Sequence, residues 1–219
     1  MSLHPNYASL VDGMISDEII KFGGPFELKN GNQSSFYINM RDMISEPDMF
    51  HEATYALGDI AERGFFDEDT LASLQHDRFL MGIPEAASEY AGAVSYAFDL
   101  PLLKRRVKQK TYGEPHPVEG RFHEGDDVVL LDDVVSSEAK SKLDEVNYLA
   151  GLGLKTAGVV VLVDRQQGGR TALAERGIDF IPVLTIKGIA EYALKRGRIS
   201  QTVHDNVIAE LDPRETATS

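Results

Sequence analysis

The segment Val128–Lys142 constrains most strongly how this chain can fold. Its first four residues are valine and leucine, an apolar run typical of a strand that is buried on both faces of a parallel sheet. Two acids, Asp132 and Asp133, follow at the end of this strand, and a hydroxyl-rich turn then opens a helix. Carboxylates can bind a polyol there, and the N–H groups of the helix N-terminus favour a phosphate. The segment therefore predicts a sugar-phosphate site at the edge of an open α/β sheet.

Strand and helix patterns alternate from Phe79 onward, which predicts an α/β fold with a doubly wound, mainly parallel sheet. Before this region, a helical pattern is followed by two short strands, Phe26–Gly31 and Ser35–Arg41, which are joined by a polar turn. We expect residues 1–45 to form a small N-terminal hood, residues 46–211 to form the core and residues 212–219 to form a flexible tail.

Composition narrows the classes of partner. The 219 residues, 42% of them hydrophobic, suffice for one well-buried domain. The net charge of −13 argues against nucleic acid or an anionic membrane as a general partner. The chain has no cysteine, and its six histidines lack metal-ligand spacing, so we expect neither a disulfide nor a structural zinc. Without a signal peptide or an apolar run near the ~20 residues of a membrane span, a soluble cytoplasmic protein is expected.

Two basic features stand out in this acidic chain. The run Lys104–Lys110 is the one concentrated cluster of positive charge, and a proline-containing surface loop follows it. Such a run is usually a solvated face, but here it can also clamp a diphosphate through charge-assisted hydrogen bonds. Arg165 follows a second buried strand, Val159–Val163. It is either structural or a partner for a substrate carboxylate.

These residues together resemble the type I phosphoribosyltransferases, and within them the orotate phosphoribosyltransferases. The strand, acid pair and hydroxyl turn indicate the wider family. The narrower matches are Phe26–Gly31, Ser35–Arg41, Gly82–Pro84, the basic segment through Tyr112 and Gly113, and Asp164–Gly169. The resemblance implies the type I phosphoribosyltransferase fold with the hood over the base site.

The resemblance also implies an activity and its residues. The family transfers a phosphoribosyl group from phosphoribosyl pyrophosphate to orotate in pyrimidine nucleotide biosynthesis, with Mg²⁺ held indirectly, through water, by Asp132 and Asp133. A homodimer is implied, in which the basic loop reaches the neighbouring site. The implied catalytic residues are Lys29, Lys110, Asp132 and Asp133. The implied substrate-binding residues are Gly82, Arg106, Tyr112, Ser136, Ser137, Lys140 and Ser141, with Phe36 and Tyr37 flanking the orotate ring and Arg165 pairing with its carboxylate.

Two alternatives stay open, and three departures from the family pattern motivate the first: Glu138 in the phosphate loop, Val107 where a basic residue is usual, and Glu85 in the presumed pyrophosphate loop. The family's phosphate loop contains glycine where this chain has Glu138, Ala139 and Lys140. Glycine lets backbone N–H groups approach a phosphate closely, and an acid there repels it. The alternatives are a catalytically impaired relative that binds orotate or a nucleotide, and a phosphoribosyltransferase for another base.

Overall fold

The structure is a computed structural model, and it describes residues 5–27, 31–66, 77–106, 117–135 and 138–216. Short 3₁₀ turns lie at Pro5–Tyr7 and Asp42–Ser45. The described helices and strands are, in chain order, α1 (Ala8–Ser16), β1 (Ile20–Glu27), β2 (Gln33–Ile38), α2 (Pro47–Phe65), β3 (Arg78–Gly82), α3 (Ser88–Phe98), β4 (Lys104–Arg105), β5 (Val118–Glu119), β6 (Asp127–Val135), α4 (Lys140–Gly151), β7 (Lys155–Asp164), α5 (Gly169–Ala174), β8 (Phe180–Thr185), α6 (Ile186–Lys195), α7 (Gln201–Ala209) and α8 (Pro213–Thr216).

The core is a four-stranded sheet in the order β3-β6-β7-β8, with every neighbouring pair parallel. The side chains of Val128–Leu131 and Val159–Val163 are completely buried, because helices cover both faces of these strands. One apolar cluster joins α1, α2, α3 and α6 to one face, and a second joins α4 and α5 to the other. The predicted parallel α/β sheet is confirmed. No helix in the described ranges has both the length and the apolar character needed to cross a membrane.

The N-terminal strands form the predicted hairpin, although β1 is longer than the sequence suggested. β1 and β2 pair antiparallel from Ile20 opposite Ile38 to Glu27 opposite Gln33. The sequence places a break at Gly23-Gly24-Pro25, whereas the strand continues through it with an irregular register between Phe22 and Phe26. Glycine and proline are tolerated at such irregularities because some backbone groups there leave the ladder.

The prediction of a flexible tail from residue 212 is wrong for the described part of that segment. Residues Pro213–Thr216 form the short helix α8, and the side chain of Glu215 is only 2% exposed. Its carboxylate accepts hydrogen bonds from the backbone N–H groups of Gly168 and Thr171. These contacts join residues more than forty positions apart, so local sequence gave no sign of them. Residues 217–219 lie outside the described ranges.

Candidate functional site

The carboxyl ends of three neighbouring strands meet at one edge of the sheet. Gly82 at the end of β3 pairs with Leu131, the residue before the two acids of β6. Val135 at the end of β6 pairs with Asp164, and Arg165 follows directly. Parallel strands present their carboxyl ends together, and open α/β sheets bind their ligands there.

The two acids lie within β6 and not beyond its end, because the strand continues to Val135. Successive side chains of a strand point to opposite faces of the sheet. Asp132 accordingly faces α4, whereas the charge of Asp133 acts on Tyr90 of α3 and, after burial, is the second cause of the raised pKa of that phenol. The two carboxylates nevertheless interact, since the charge of Asp132 and a side-chain hydrogen bond with it both contribute to the raised pKa of Asp133.

Asp132 forms an ion pair with a buried lysine, Lys142, for which the sequence predicts no role. Lys142 is 3% exposed, and its Nζ lies 2.5 Å from Asp132 Oδ2. The same ammonium donates to the carbonyl oxygen of Val134 and, at 3.3 Å, to Ser141 Oγ. The available signal was spacing, since Lys142, Glu145 and Leu149 share one helical face and are the buried residues of α4.

The environment of Asp133 disfavours the ionised form of its carboxyl group. Burial raises its pKa to about 7, and the nearby charge of Asp132 acts in the same direction. Lys142 and the hydrogen bond from the Val134 N–H, at 2.7 Å, oppose these effects. A group with a pKa near neutrality can accept or donate a proton under physiological conditions.

The acids fit a magnesium ion only in a limited way. No group of three or more histidine, aspartate or glutamate side chains converges within the described ranges. One oxygen of Asp132 is taken by Lys142, and the other accepts the backbone N–H of Asp133 at 2.9 Å. Mg²⁺ is commonly bound through one or two carboxylates together with waters and substrate phosphates. Asp133 would fit this pattern by contacting the water shell of a bound ion.

Arg165 is a half-buried cation that takes part in none of the ion pairs that the structure describes. Burial lowers the pKa of its guanidinium, and the nearby charge of Glu210 opposes that shift. Its Nε is buried with no hydrogen-bond partner. The guanidinium carbon lies 5.0 Å from the ring centroid of Phe36. Within the described ranges, no carboxylate lies at ion-pair distance from this side chain. A desolvated charge is costly unless it is paired, so this position favours an anionic ligand group.

The two aromatic residues that the sequence predicts for the site, Phe36 and Tyr37, have different environments in the hairpin. Phe36 is completely buried beneath Arg165, whereas Tyr37 is 40% exposed and lies 6.1 Å from the ring of Phe26. Adjacent residues of β2 point to opposite sides of the ribbon. The expectation that Phe36 and Tyr37 flank one ring is therefore corrected: Phe36 supports the Arg165 side chain from below, and Tyr37 faces the other side.

The predicted phosphate loop is described only from Glu138 onward, because Ser136 and Ser137 lie outside the described ranges. Glu138 and Lys140 are exposed, as is Ser141 in the first turn of α4. Ala139 is buried and adopts the left-handed conformation, with φ 46° and ψ 26°. This conformation favours glycine, so the fold keeps a glycine-like backbone where the sequence has none.

Gly82 and Arg106 are held by local contacts. A Cβ on Gly82 would lie 2.2 Å from the carbonyl oxygen of Ala87, so only glycine fits where β3 turns into α3. Arg106 Nε lies 2.7 Å from Glu119 Oε1, so its charge is paired within the chain. Three further predicted site residues fall outside the described ranges, namely Lys29, Lys110 and Tyr112.

The start of the basic segment is fixed to α4 by the contacts of Arg105. Arg105, which precedes Arg106 in β4, forms an ion pair with the buried Glu145 of α4 and covers the ring of Tyr148, with 3.9 Å between its guanidinium carbon and the ring centroid. Burial raises the pKa of Glu145, and Arg105 opposes that shift. The ribbon of β4 and β5 is thereby fixed to the helix that opens at the predicted phosphate loop.

A groove of about 340 Å³ lies away from these residues, between α1, α2 and the end of α3. Its lining includes Tyr7, Leu10, Tyr55 and Phe98. None of the residues predicted for the site lines this groove, so its size does not bear on the sheet edge.

The comparisons with known proteins agree with this geometry. No protein-family model matches the chain. It is 33% identical over 219 residues to uridine 5′-monophosphate synthase of Bos taurus, covering 96% of this chain and 43% of that protein. It is 31% identical over 183 residues to orotate phosphoribosyltransferase of Thermococcus gammatolerans, covering 83% of this chain and 90% of that protein.

A solved structure extends the likeness to the fold. The structure of Leishmania donovani UMP synthase superposes with a TM-score of 0.75 at 27% identity, over 94% of this chain and 42% of that chain. The chain thus spans less than half the length of the two synthases and nine tenths of the Thermococcus protein. The chain belongs to the orotate phosphoribosyltransferase family.

Proposed function

We propose that this chain transfers the phosphoribosyl group from phosphoribosyl pyrophosphate to orotate, giving orotidine 5′-phosphate and pyrophosphate. The observation that carries the proposal is Arg165, a half-buried guanidinium whose Nε has no hydrogen-bond partner and which lies at the same sheet edge as the acids of β6. Orotate is an aromatic ring with a carboxylate, and a guanidinium can bind a carboxylate through two parallel hydrogen bonds. Membership of the family supports the same reaction.

The proposed reaction forms a bond between a ring nitrogen of orotate and the anomeric carbon, and that nitrogen loses its proton to the solvent. The bond from the anomeric carbon to the diphosphate oxygen breaks, and the diphosphate leaves with the electron pair. Charge develops positively on the sugar and negatively on the leaving group. In this proposal Asp133 would accept hydrogen bonds from the ribose hydroxyls, and Lys140 and Ser141 would contact the 5-phosphate. When bound, Mg²⁺ would neutralise the diphosphate. Lys29 and Lys110 complete the proposed catalytic set.

The test is direct. Purified protein is mixed with orotate, phosphoribosyl pyrophosphate and Mg²⁺, and the loss of orotate absorbance is followed. Turnover that requires both substrates supports the proposal. If calorimetry shows orotate binding but no turnover occurs, the chain is a non-catalytic binding relative. Turnover of another base with none of orotate would show a phosphoribosyltransferase of different specificity.

The proposal includes a homodimer in which the segment Lys104–Lys110 serves the neighbouring site. It is supported by the position of β4 and β5, which pair with each other outside the four-stranded sheet. The test mixes two inactive variants, Lys110→Ala and Asp133→Asn. A mixture that regains activity indicates a shared site, because one hybrid site then holds both intact residues, whereas a mixture that stays inactive rejects the sharing. A cytoplasmic location is part of the same proposal.

A further inference from the structure

We propose that Glu210 and Glu215 are positioning residues for the base-binding end of the site. They lie at the two ends of residues 210–215, the C-terminal strap, which connects the hairpin to the loop that carries Arg165. The inference rests on the proposed function, because it assigns Arg165 and Phe36 to the orotate subsite.

The first contact is between Glu215 and the Arg165 loop. Glu215 Oε2 accepts the backbone N–H of Gly168, and its Oε1 accepts that of Thr171, both at 2.9 Å. Both oxygens of a buried carboxylate are thus used on the backbone that follows Arg165. Hydrogen bonds to an ionised acceptor are stronger than neutral ones, so this carboxylate fixes the start of α5 firmly.

The second contact passes through Gln166, the residue after Arg165. Its carbonyl oxygen accepts the N–H of Asp212 at 2.8 Å, and its Nε2 donates to the carbonyl oxygen of Glu215 at 3.3 Å. Gln166 is buried and left-handed, with φ 52°, a conformation that costs energy for any residue with a Cβ. The strap holds this conformation in place, and the conformation sets the direction in which Arg165 leaves β7.

The third contact ties the other end of the strap to the hairpin. Glu210 accepts the hydroxyl of Ser34 at 2.7 Å and the backbone N–H of Ser35 at 2.5 Å. The same Ser34 hydroxyl accepts the N–H of Phe36 at 3.4 Å. The ring of Phe36 is the surface over which the Arg165 guanidinium lies. The strap therefore bonds both to the strand beneath Arg165 and to the loop that bears it.

The geometry gives the two glutamates a role that core packing alone does not. Both act on parts of one subsite, since Arg165 and Phe36 contact each other. The acids of β6 and the first turn of α4 make no contact with either glutamate that the structure describes. Removal of either glutamate is expected to weaken orotate binding and to leave phosphoribosyl pyrophosphate binding unchanged.

The experiment measures the orotate Kd by calorimetry and both KM values for Glu215→Gln and Glu210→Gln. Glutamine keeps the shape but loses the charge and one acceptor oxygen. We expect the orotate Kd and KM to rise about tenfold, equivalent to one charge-assisted hydrogen bond, with the KM for phosphoribosyl pyrophosphate unchanged. Glu175→Gln, an exposed glutamate just after α5, is the matched control and is expected to leave both values unchanged.

A double-mutant cycle separates positioning from general stability. In an Arg165→Ala background, Glu215→Gln should cause no further loss of orotate affinity, because the residue that it positions is gone. Additive losses would overturn the proposal, as would equal increases in both KM values. If Glu215→Gln does not fold, Glu210→Gln decides: an unchanged orotate Kd in that variant also overturns it.

Different measurements would refute the proposed role of the strap and the proposed function of the chain. Hydrogen exchange of the Gly168 and Thr171 amides needs no ligand, and faster exchange in Glu215→Gln than in the wild type is expected. A wild-type protein that neither binds nor converts orotate refutes the proposed function and, with it, the assignment of the strap to an orotate subsite. Unchanged exchange refutes the strap even when orotate is turned over.

Discussion

Replacing Lys142 with methionine tests the buried ion pair on which the geometry of Asp132 depends. Lys142 and Asp132 are 3% and 5% exposed and are joined at 2.5 Å, so neither charge has water to replace its partner. Removing one member of a buried pair leaves an uncompensated charge and typically costs about 3–5 kcal/mol. For a chain of this size, about 2–4 °C per kcal/mol gives a fall in Tm of about 6–20 °C.

The assay is urea unfolding at pH 7.5, followed by circular dichroism, with equal slopes required before the midpoints are compared. Lys140→Met is the control, because it is the same substitution on an exposed side chain of the same helix, and it should stay within about 0.5 kcal/mol of the wild type. The double variant Asp132→Asn/Lys142→Met removes both charges and should recover most of the loss. A loss below about 1 kcal/mol in Lys142→Met, or a double variant no more stable than the single one, would refute the reasoning.

Three further predictions concern the sheet edge. Arg165→Ala should raise the KM for orotate by about tenfold or more with an unchanged KM for phosphoribosyl pyrophosphate, and equal KM values for wild type and variant would remove Arg165 from the orotate subsite. Burial raises the pKa of Asp164 to about 6, so the folded protein binds the proton more tightly than the unfolded chain, and stability should fall as the pH rises from about 4 to 6. Asp164→Asn should remove that fall and raise the free energy of unfolding at pH 8 by at most about 3 kcal/mol, as measured by urea unfolding. An unchanged dependence of stability on pH in this variant would contradict the prediction. Gly82→Ala should lower Tm by several degrees or abolish folding, because its Cβ would lie 2.2 Å from the Ala87 carbonyl oxygen, and a normal Tm would contradict that contact.

The fold was largely predictable because its elements carry strong local patterns. Two apolar runs that end in charge, each followed by a helix, are enough to indicate a parallel sheet with its polar chemistry at one edge. The errors came where local signals mislead. Gly23-Gly24-Pro25 is a strong break in isolation, yet the hairpin accommodates it within β1. Residues after 211 have no apolar period, yet one buried glutamate fixes them.

The site was predictable at the level of residue type and less so at the level of partners. Arg165, Gly82 and the two acids of β6 lie at one sheet edge as their positions in the sequence required. The ion pair of Asp132 with Lys142 depends on where β6 ends and α4 begins, which propensity alone does not fix. The ion pair of Arg106 with Glu119 depends on how β4 meets β5, which spacing along the chain does not show.

The sequence by itself determined the parallel α/β sheet, the edge at which its polar residues gather and the family to which they are similar. Only the tertiary structure decided which partner each charge has: Lys142 for Asp132, Glu215 for the backbone after Arg165, and the ring of Phe36 for the Arg165 guanidinium. The physical reason is that periodicity reports the face of an element that is buried, whereas pairing depends on which distant element covers that face.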